Sequence, residues 1–311
     1  MTAGRGTVQH ARPIGLLAMV AVVLTFSASS TIIRKAGVPG PTIAFWRMLG
    51  SSIVWTALLR LKEGHFVSLQ EWRRAIVTGV VLGLNILLFY TAATRTSVAN
   101  LEFISALAPL ALMPAGAVLF HEKVDRRAAL FGLISIVGLA FVLFDAPKRG
   151  AATWPGNGLA VLSLVTWCSY LLASRQLRRG MSVATLMASA LPIATVTTLP
   201  IVLINDDIGR LDARSMAYIA VLTLLTGVLA HGLIVFAQRK VPIGIMSMMQ
   251  VGQPALAVVW SAVFLSQSIR ALQIVGMVLV VFGLAVVVVQ TQRRTARLME
   301  TENGELAGSV G

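Results

Sequence analysis

The chain has 311 residues, 57% of them hydrophobic and only 12% charged, against roughly 45–50% and about 25% in soluble domains. That composition, with uncharged apolar runs such as 14–33 and 271–289, excludes an ordinary soluble globule and points to an all-α polytopic membrane protein. The formal net charge of +14 comes from Lys and Arg scattered in twos and threes between the apolar runs, without the basic face or stripe that would signal a nucleic-acid partner.

The apolar runs predict ten spans, near residues 14–33, 41–59, 75–93, 97–120, 128–144, 157–174, 183–204, 215–237, 241–264 and 271–290. An even number places both termini on one side. The tails and the alternate loops between them carry 17 Lys and Arg and the opposite loops 8, so the positive-inside rule puts both termini in the cytoplasm of a cell (plasma) membrane protein. Residues 1–13 and 292–311 are polar and predict disordered tails, the Arg293, Arg294 and Arg297 cluster meeting anionic headgroups.

The first span also fits a signal-peptide core followed by Ala28-Ser29-Ser30, but it recurs inside the chain. Leu24-Thr25-Phe26 ends eight residues before Arg34, and Val165-Thr166-Trp167 ends eight residues before Arg175. The recurrence extends further. At an offset of 145, Arg95 meets Lys240, Pro109 meets Pro254, Glu122 meets Gln267 and Gly138 meets Gly283. The chain thus reads as two five-span units, residues 14–146 and 147–291. An odd number of spans per unit inverts the second against the first and places their shared interface near the bilayer midplane. Two similar units that can exchange packings have outward-open and inward-open states of comparable energy, which is the physical basis of alternating access.

Ionisable residues within spans cost on the order of 2.5–3.5 kcal/mol on insertion scales and need a partner or a wet cavity. Arg47 in the second span and Glu102 in the fourth lie at similar depth, about 9 and 7.5 Å by helical rise. Two readings stand side by side: Arg47 offers its planar fork to a substrate carboxylate while Glu102 carries a coupling proton, or the two form a permanent structural ion pair. Trp46, Tyr90, Trp167 and Tyr170 are candidate cavity aromatics, alternatively packing or interfacial anchors. Asn85, Gln250 and Gln253 are amides that need partners in hydrocarbon. His231 reads as a gate near the inner mouth or a neutral packing histidine. Glu122, beside Lys123, Asp125, Arg126 and Arg127, reads as part of a solvated loop network.

Pro109 and Pro254 remove backbone donors at equivalent places and are candidate hinges. Gly79 and Gly83 permit close helix approach. Gly132, Gly138, Gly276 and Gly283 do likewise in spans five and ten, where they also offer a homodimer face. Cys168 is alone and the four histidines are dispersed, so neither a metal site nor a cofactor is expected, and no phosphate-binding loop of the G-x-x-x-x-G-K-[ST] type points to ATP use.

Phe45-Trp46-Arg47, the run from Ala106 through Pro109 to Glu122, Gly132 and Gly138, and their second-half counterparts from Trp167 to Arg175 and Gln253 to Gln267, resemble the EamA-type unit of the drug/metabolite transporter superfamily. The resemblance covers nearly the whole chain. It implies ten helices with cytoplasmic termini, a central cavity lined by the first four helices of each half, and peripheral fifth and tenth helices. Gln267 departs from the first copy's Glu122. The expected activity is secondary transport of a small organic metabolite or drug-like solute by alternating access, with export as the expected direction. An intramembrane enzyme acting on lipids lacks a clustered catalytic set here, and a channel or scaffold is the remaining alternative.

Overall fold

The computed structural model describes residues 13–96, 98–122, 126–144, 154–205, 208, 211–265 and 271–308. Within them the chain forms ten helical rods. They are α1 (Pro13–Ser27 continuing as Ser29–Ala36), α2 (Gly40–Glu63), α3 (Leu69–Arg95), α4 (Val98–Ser105 then Ala108–Phe120) and α5 (Arg126–Phe144). The second set is α6 (Trp154–Leu177), α7 (Val183–Ile204), α8 (Ala213–Ala237), α9 (Ile243–Gln250 then Gly252–Leu265) and α10 (Ala271–Gly308). Eight are long and apolar enough to cross a bilayer; α5 and α10 contribute shorter apolar stretches among the described residues. The protein is a multi-pass membrane protein.

Local chemistry starts and interrupts the rods. Ser68 and Glu71 form a reciprocal capping box on α3, Ser182 accepts the Thr185 N–H on α7, and Asp212 accepts the Ser215 N–H on α8. Each satisfies an otherwise orphaned helix donor. The rod α1 bends at Ala28, where Ser27 and Ser29 donate to the carbonyls of Leu24 and Phe26, a back-bonding pattern that bends helices. The breaks in α4 and α9 fall just before Pro109 and Pro254. Proline has no N–H to return to the carbonyl four residues back, Ser105 in one case and Gln250 in the other. The same interruption therefore recurs at the same register in both repeats.

Small residues let the central rods approach. A Cβ on Gly83 would lie 2.7 Å from the Ala194 carbonyl oxygen, and one on Gly79 2.7 Å from that of Ala190, so α3 and α7 touch backbone to backbone. The rods α5 and α10 pair with one another at the periphery. A Cβ on Gly138 would meet the Gly276 carbonyl at 2.8 Å, and one on Gly283 the Phe131 carbonyl at 2.7 Å. This corrects the homodimer expectation as a glycine-based contact: those small surfaces are already occupied within the chain. The outer faces of the pair carry Leu130, Leu133, Val137, Ile274, Val278 and Val281, all exposed, as lipid-facing positions do.

A second correction concerns the C-terminal tail. The helix α10 continues to Gly308, through residues whose polarity predicted disorder. Extending an existing helix adds a hydrogen bond per residue without the nucleation cost, and Arg, Leu, Met and Glu are good helix formers.

The close approach of α3 and α7 makes a prediction. Gly83→Ala lowers stability by about 1–3 kcal/mol through overpacking, read as a lower melting midpoint in mild detergent. Gly158→Ala in α6, where a Cβ meets open space, leaves the midpoint unchanged or slightly raised.

Candidate functional site

A cavity of about 100 Å³ lies between the two repeats, with lining residues from α1, α2, α3 and α4 of the first and α6, α8 and α9 of the second. Both broken rods reach it at their interruptions, through Ser105 and Ala106 of α4 and Gln250, Gln253 and Pro254 of α9. The space exceeds the roughly 10–15 Å³ that one water needs several times over. The rod α7 supplies none of the lining residues, so the expectation of four lining helices per half is corrected: α7 is occupied in packing against α2 and α3.

Arg47 is 1% exposed. Its Nε donates to Thr226 Oγ1 at 2.8 Å, and its guanidinium carbon lies 5.6 Å from the Tyr90 ring centroid, a cation–π contact. Its Nη2 is 3.3 Å from His231 Nδ1, but that nitrogen is only 2.5 Å from the Thr226 carbonyl. In a neutral ring the shorter contact places the proton on Nδ1, donating to the carbonyl. Nδ1 then has no lone pair for Arg47. His231 Nε2 is left as an acceptor, without a partner among the described residues, and Arg47 Nη1 is likewise without one.

This arrangement depends on an irregularity in α8. Residues Thr223–Ala230 adopt a π-helical turn, and the His231 N–H closes on the Thr226 carbonyl five residues back. Such wide turns recur at functional sites. Here the turn presents the Thr226 hydroxyl to Arg47 while Trp55 Nε1 donates to the Gly227 carbonyl at 3.4 Å. Gly227 permits the approach: a Cβ there would lie 2.0 Å from Ser51 Oγ.

Glu102 is 7% exposed and accepts a hydrogen bond from Ser30 at 2.9 Å. No ion pair joins it to Arg47 among the described residues, which corrects the direct Arg47–Glu102 pair. Counting residues from the helix ends fixes height but not direction; Arg47 turns toward α8 and Glu102 toward α1. Both nevertheless line the same cavity.

Asn85 donates to the Ser163 carbonyl at 2.9 Å and to its hydroxyl at 3.2 Å, while Gln250 donates to Met246 at 3.3 Å. Tyr90, Trp167, Gln253 and His231 also line the cavity. Two expected residues do not: Trp46 is half-buried beside Phe45, and Tyr170 lies behind Trp167, ring centroids 5.5 Å apart, its hydroxyl without a partner among the described residues. The cavity also uses Phe26, Ser29, Phe89, Ser163 and Thr226, unremarked in the sequence because hydroxyls and single aromatics are common in membrane helices.

Glu122 requires a further correction. It is no solvated loop residue: its carboxylate pairs with Arg175, which is 5% exposed, and accepts the Ile243 N–H at 2.9 Å.

The EamA-like transporter family model matches residues 13–144 and again 154–289, one match per repeat. The chain is 23% identical over 190 residues to the pseudopaline exporter CntI of Pseudomonas aeruginosa, in strains UCBPP-PA14 and PAO1 alike. That match spans 60% of this chain and 66% of the relative. A solved crystal structure superposes with a TM-score of 0.77 at 18% identity, covering 88% of this chain and 98% of the other, which establishes the likeness of fold.

Thr226→Val keeps the shape but removes the acceptor of the Arg47 Nε–H. It costs about 1–3 kcal/mol as a buried unsatisfied donor, seen as a lowered melting midpoint, whereas Thr226→Ser retains the wild-type value.

Proposed function

Because the chain belongs to the EamA-like transporter family, we propose that it is a secondary transporter exporting a small organic solute by alternating access around the cavity between its repeats. The similarity to a curated exporter supports the outward direction, and the loop-charge bias supports cytoplasmic termini in the plasma membrane. The observation that carries the reading is Arg47, a buried guanidinium facing the cavity with Nη1 unpartnered among the described residues and no carboxylate paired to it. Leaving such a group bare in a low-dielectric site is costly. An arriving solute oxyanion removes that cost by accepting the planar fork.

Glu102 stands across the same cavity with Ser30 as its hydrogen-bond donor. It accepts an amine or other donor of the solute, and in exchange it carries the coupling proton. The aromatic faces of Phe26, Phe89 and Trp167 cover the apolar body of the solute between the two polar ends. Pro109 and Pro254 act as the hinges at which α4 and α9 change angle during the cycle.

The test is counterflow in proteoliposomes with a panel of carboxylic metabolites, their esters and their amides. An exchanger loaded with cold acid accelerates uptake of the labelled acid, and the ester gives none. Arg47→Gln lowers the accelerated rate at least about a hundredfold, corresponding to the loss of a charge-assisted bidentate contact of about 2.7 kcal/mol. Glu102→Gln retains exchange and abolishes its pH dependence. Acceleration that is equal for acid and ester, or undiminished by Arg47→Gln, refutes the assignment of Arg47.

A further inference from the structure

The two ends of the bundle are built differently. At the end carrying the Lys- and Arg-rich loops, the Glu122 carboxylate joins three rods. It follows the last turn of α4, pairs with Arg175 near the end of α6, and accepts the Ile243 N–H at 2.9 Å and the Gly244 N–H at 3.4 Å at the start of α9. His121 directs it there from a left-handed backbone position, φ 54°, which a non-glycine residue occupies at a cost of about 1–2 kcal/mol. Phe120 lies under the Arg175 guanidinium, 5.0 Å from ring centroid to Cζ. Beside the pair the facing halves of α4 and α9 are in contact: a Cβ on Gly116 would meet Ile243 at 2.6 Å, and one on Gly244 would meet Met113 at 3.2 Å.

The inverted repeat supplies the comparison within the same molecule. The counterpart of Arg175 is Arg34, at the opposite end, and that of Glu122 is Gln267, which lies outside the described residues. Arg34 is exposed and joins no ion pair among the described residues. Across the repeats at that end, Ser215 Oγ donates to the Ala36 carbonyl at 2.9 Å and Thr96 Oγ1 to Asn157 Oδ1 at 2.6 Å. The charge pair set on a helix N-terminus at the basic end thus has no ionic equivalent at the repeat-related positions, where the sequence has Gln in place of Glu.

We propose that Glu122 is a positioning residue, a one-sided latch that holds the basic end of the transporter shut and biases the resting protein toward opening at the other end. Its force reaches the cavity through a single short helix. The segment Ile243–Gln250 begins at the latch and ends at Gln250, a cavity residue, so releasing its N-terminus frees the segment to pivot at the Val251 break. Opening the basic end parts the Glu122 and Arg175 charges, whereas the repeat-related positions, Gln267 and Arg34, offer no carboxylate to part from the guanidinium. This asymmetry of cost distinguishes two states that perfect repeat symmetry would make equal. The inference rests on the alternating-access reading for its meaning, but its measurement needs no solute, so either can fail without the other.

The full chain is placed in nanodiscs in a Cys168→Ala background, with one reporter at a time: Ser247→Cys in the first half of α9, or Thr31→Cys in the second half of α1, both positions buried. A membrane-impermeant maleimide reports which end opens. Glu122→Gln raises the labelling rate at position 247 about tenfold or more, as expected when one partner of a buried pair is removed, and lowers the rate at position 31. Gln267→Glu, which restores in the second repeat the acid that the first repeat carries at Glu122, shifts both rates the other way. Unchanged rates in Glu122→Gln overturn the proposal. So does a rise at both positions, which marks a loosened bundle, and so does a Gln267→Glu variant that labels like its parent.

Discussion

The structure depends on keeping one guanidinium in the middle of an apolar bundle without neutralising it. Arg47 is almost wholly buried and hydrogen-bonds a threonine hydroxyl, with Tyr90 over its charged head. A carboxylate in contact would offset part of the cost of its burial, and Glu102 lines the same cavity without making that contact among the described residues. The surroundings are shaped to this incomplete solution: the π turn of α8 brings Thr226 to Arg47, Gly227 allows the two rods to close, and His231 spends its Nδ1 proton on the Thr226 carbonyl one turn back in the same helix. A site saturated by the protein itself would be more stable and would have nothing left for a solute.

The inverted repeat explains where this site lies. Each half contains one rod interrupted just before a proline, and the two interruptions meet at the cavity, where unwound backbone in a membrane is tolerated because it lines a polar space. The halves also differ locally. The π turn belongs to α8, while α3, its counterpart in the first half, is regular; the Glu122–Arg175 pair belongs to the basic end. In the proposed alternating-access cycle, near-symmetry provides two packings of similar energy and these local departures tilt the balance between them.

Much of this was legible in the sequence. Apolar runs fixed the ten rods because a lipid-spanning segment leaves little compositional freedom, and the 145-residue offset aligned the proline interruptions. Arg47, Asn85, Glu102, His231, Gln250 and Gln253 stood out because polar groups in hydrocarbon are expensive, and all six line one cavity. What the sequence did not carry was direction around each helix axis. Arg47 and Glu102 share a depth yet turn to different neighbours, and Tyr170 falls one layer behind the wall. Glu122 was misread because its loop neighbours are charged, whereas its partners, Arg175 and the Ile243 N–H, come from rods far away in the chain. The π turn left no trace in a run of ordinary apolar residues, Thr223 to Ala230.

The central claim is that Arg47 and Glu102 are kept for the solute and against stability. The measurement that tests it most directly compares the wild type with the double variant Arg47→Gln/Glu102→Gln in nanodiscs, following the melting midpoint with and without a carboxylic solute that protects the wild type. Relieved of two desolvated charges, the double variant melts at the same temperature or higher when empty and gains no protection from the solute. A double variant that melts lower when empty yet is still protected by the solute would show that the charges hold the bundle together, contradicting the account.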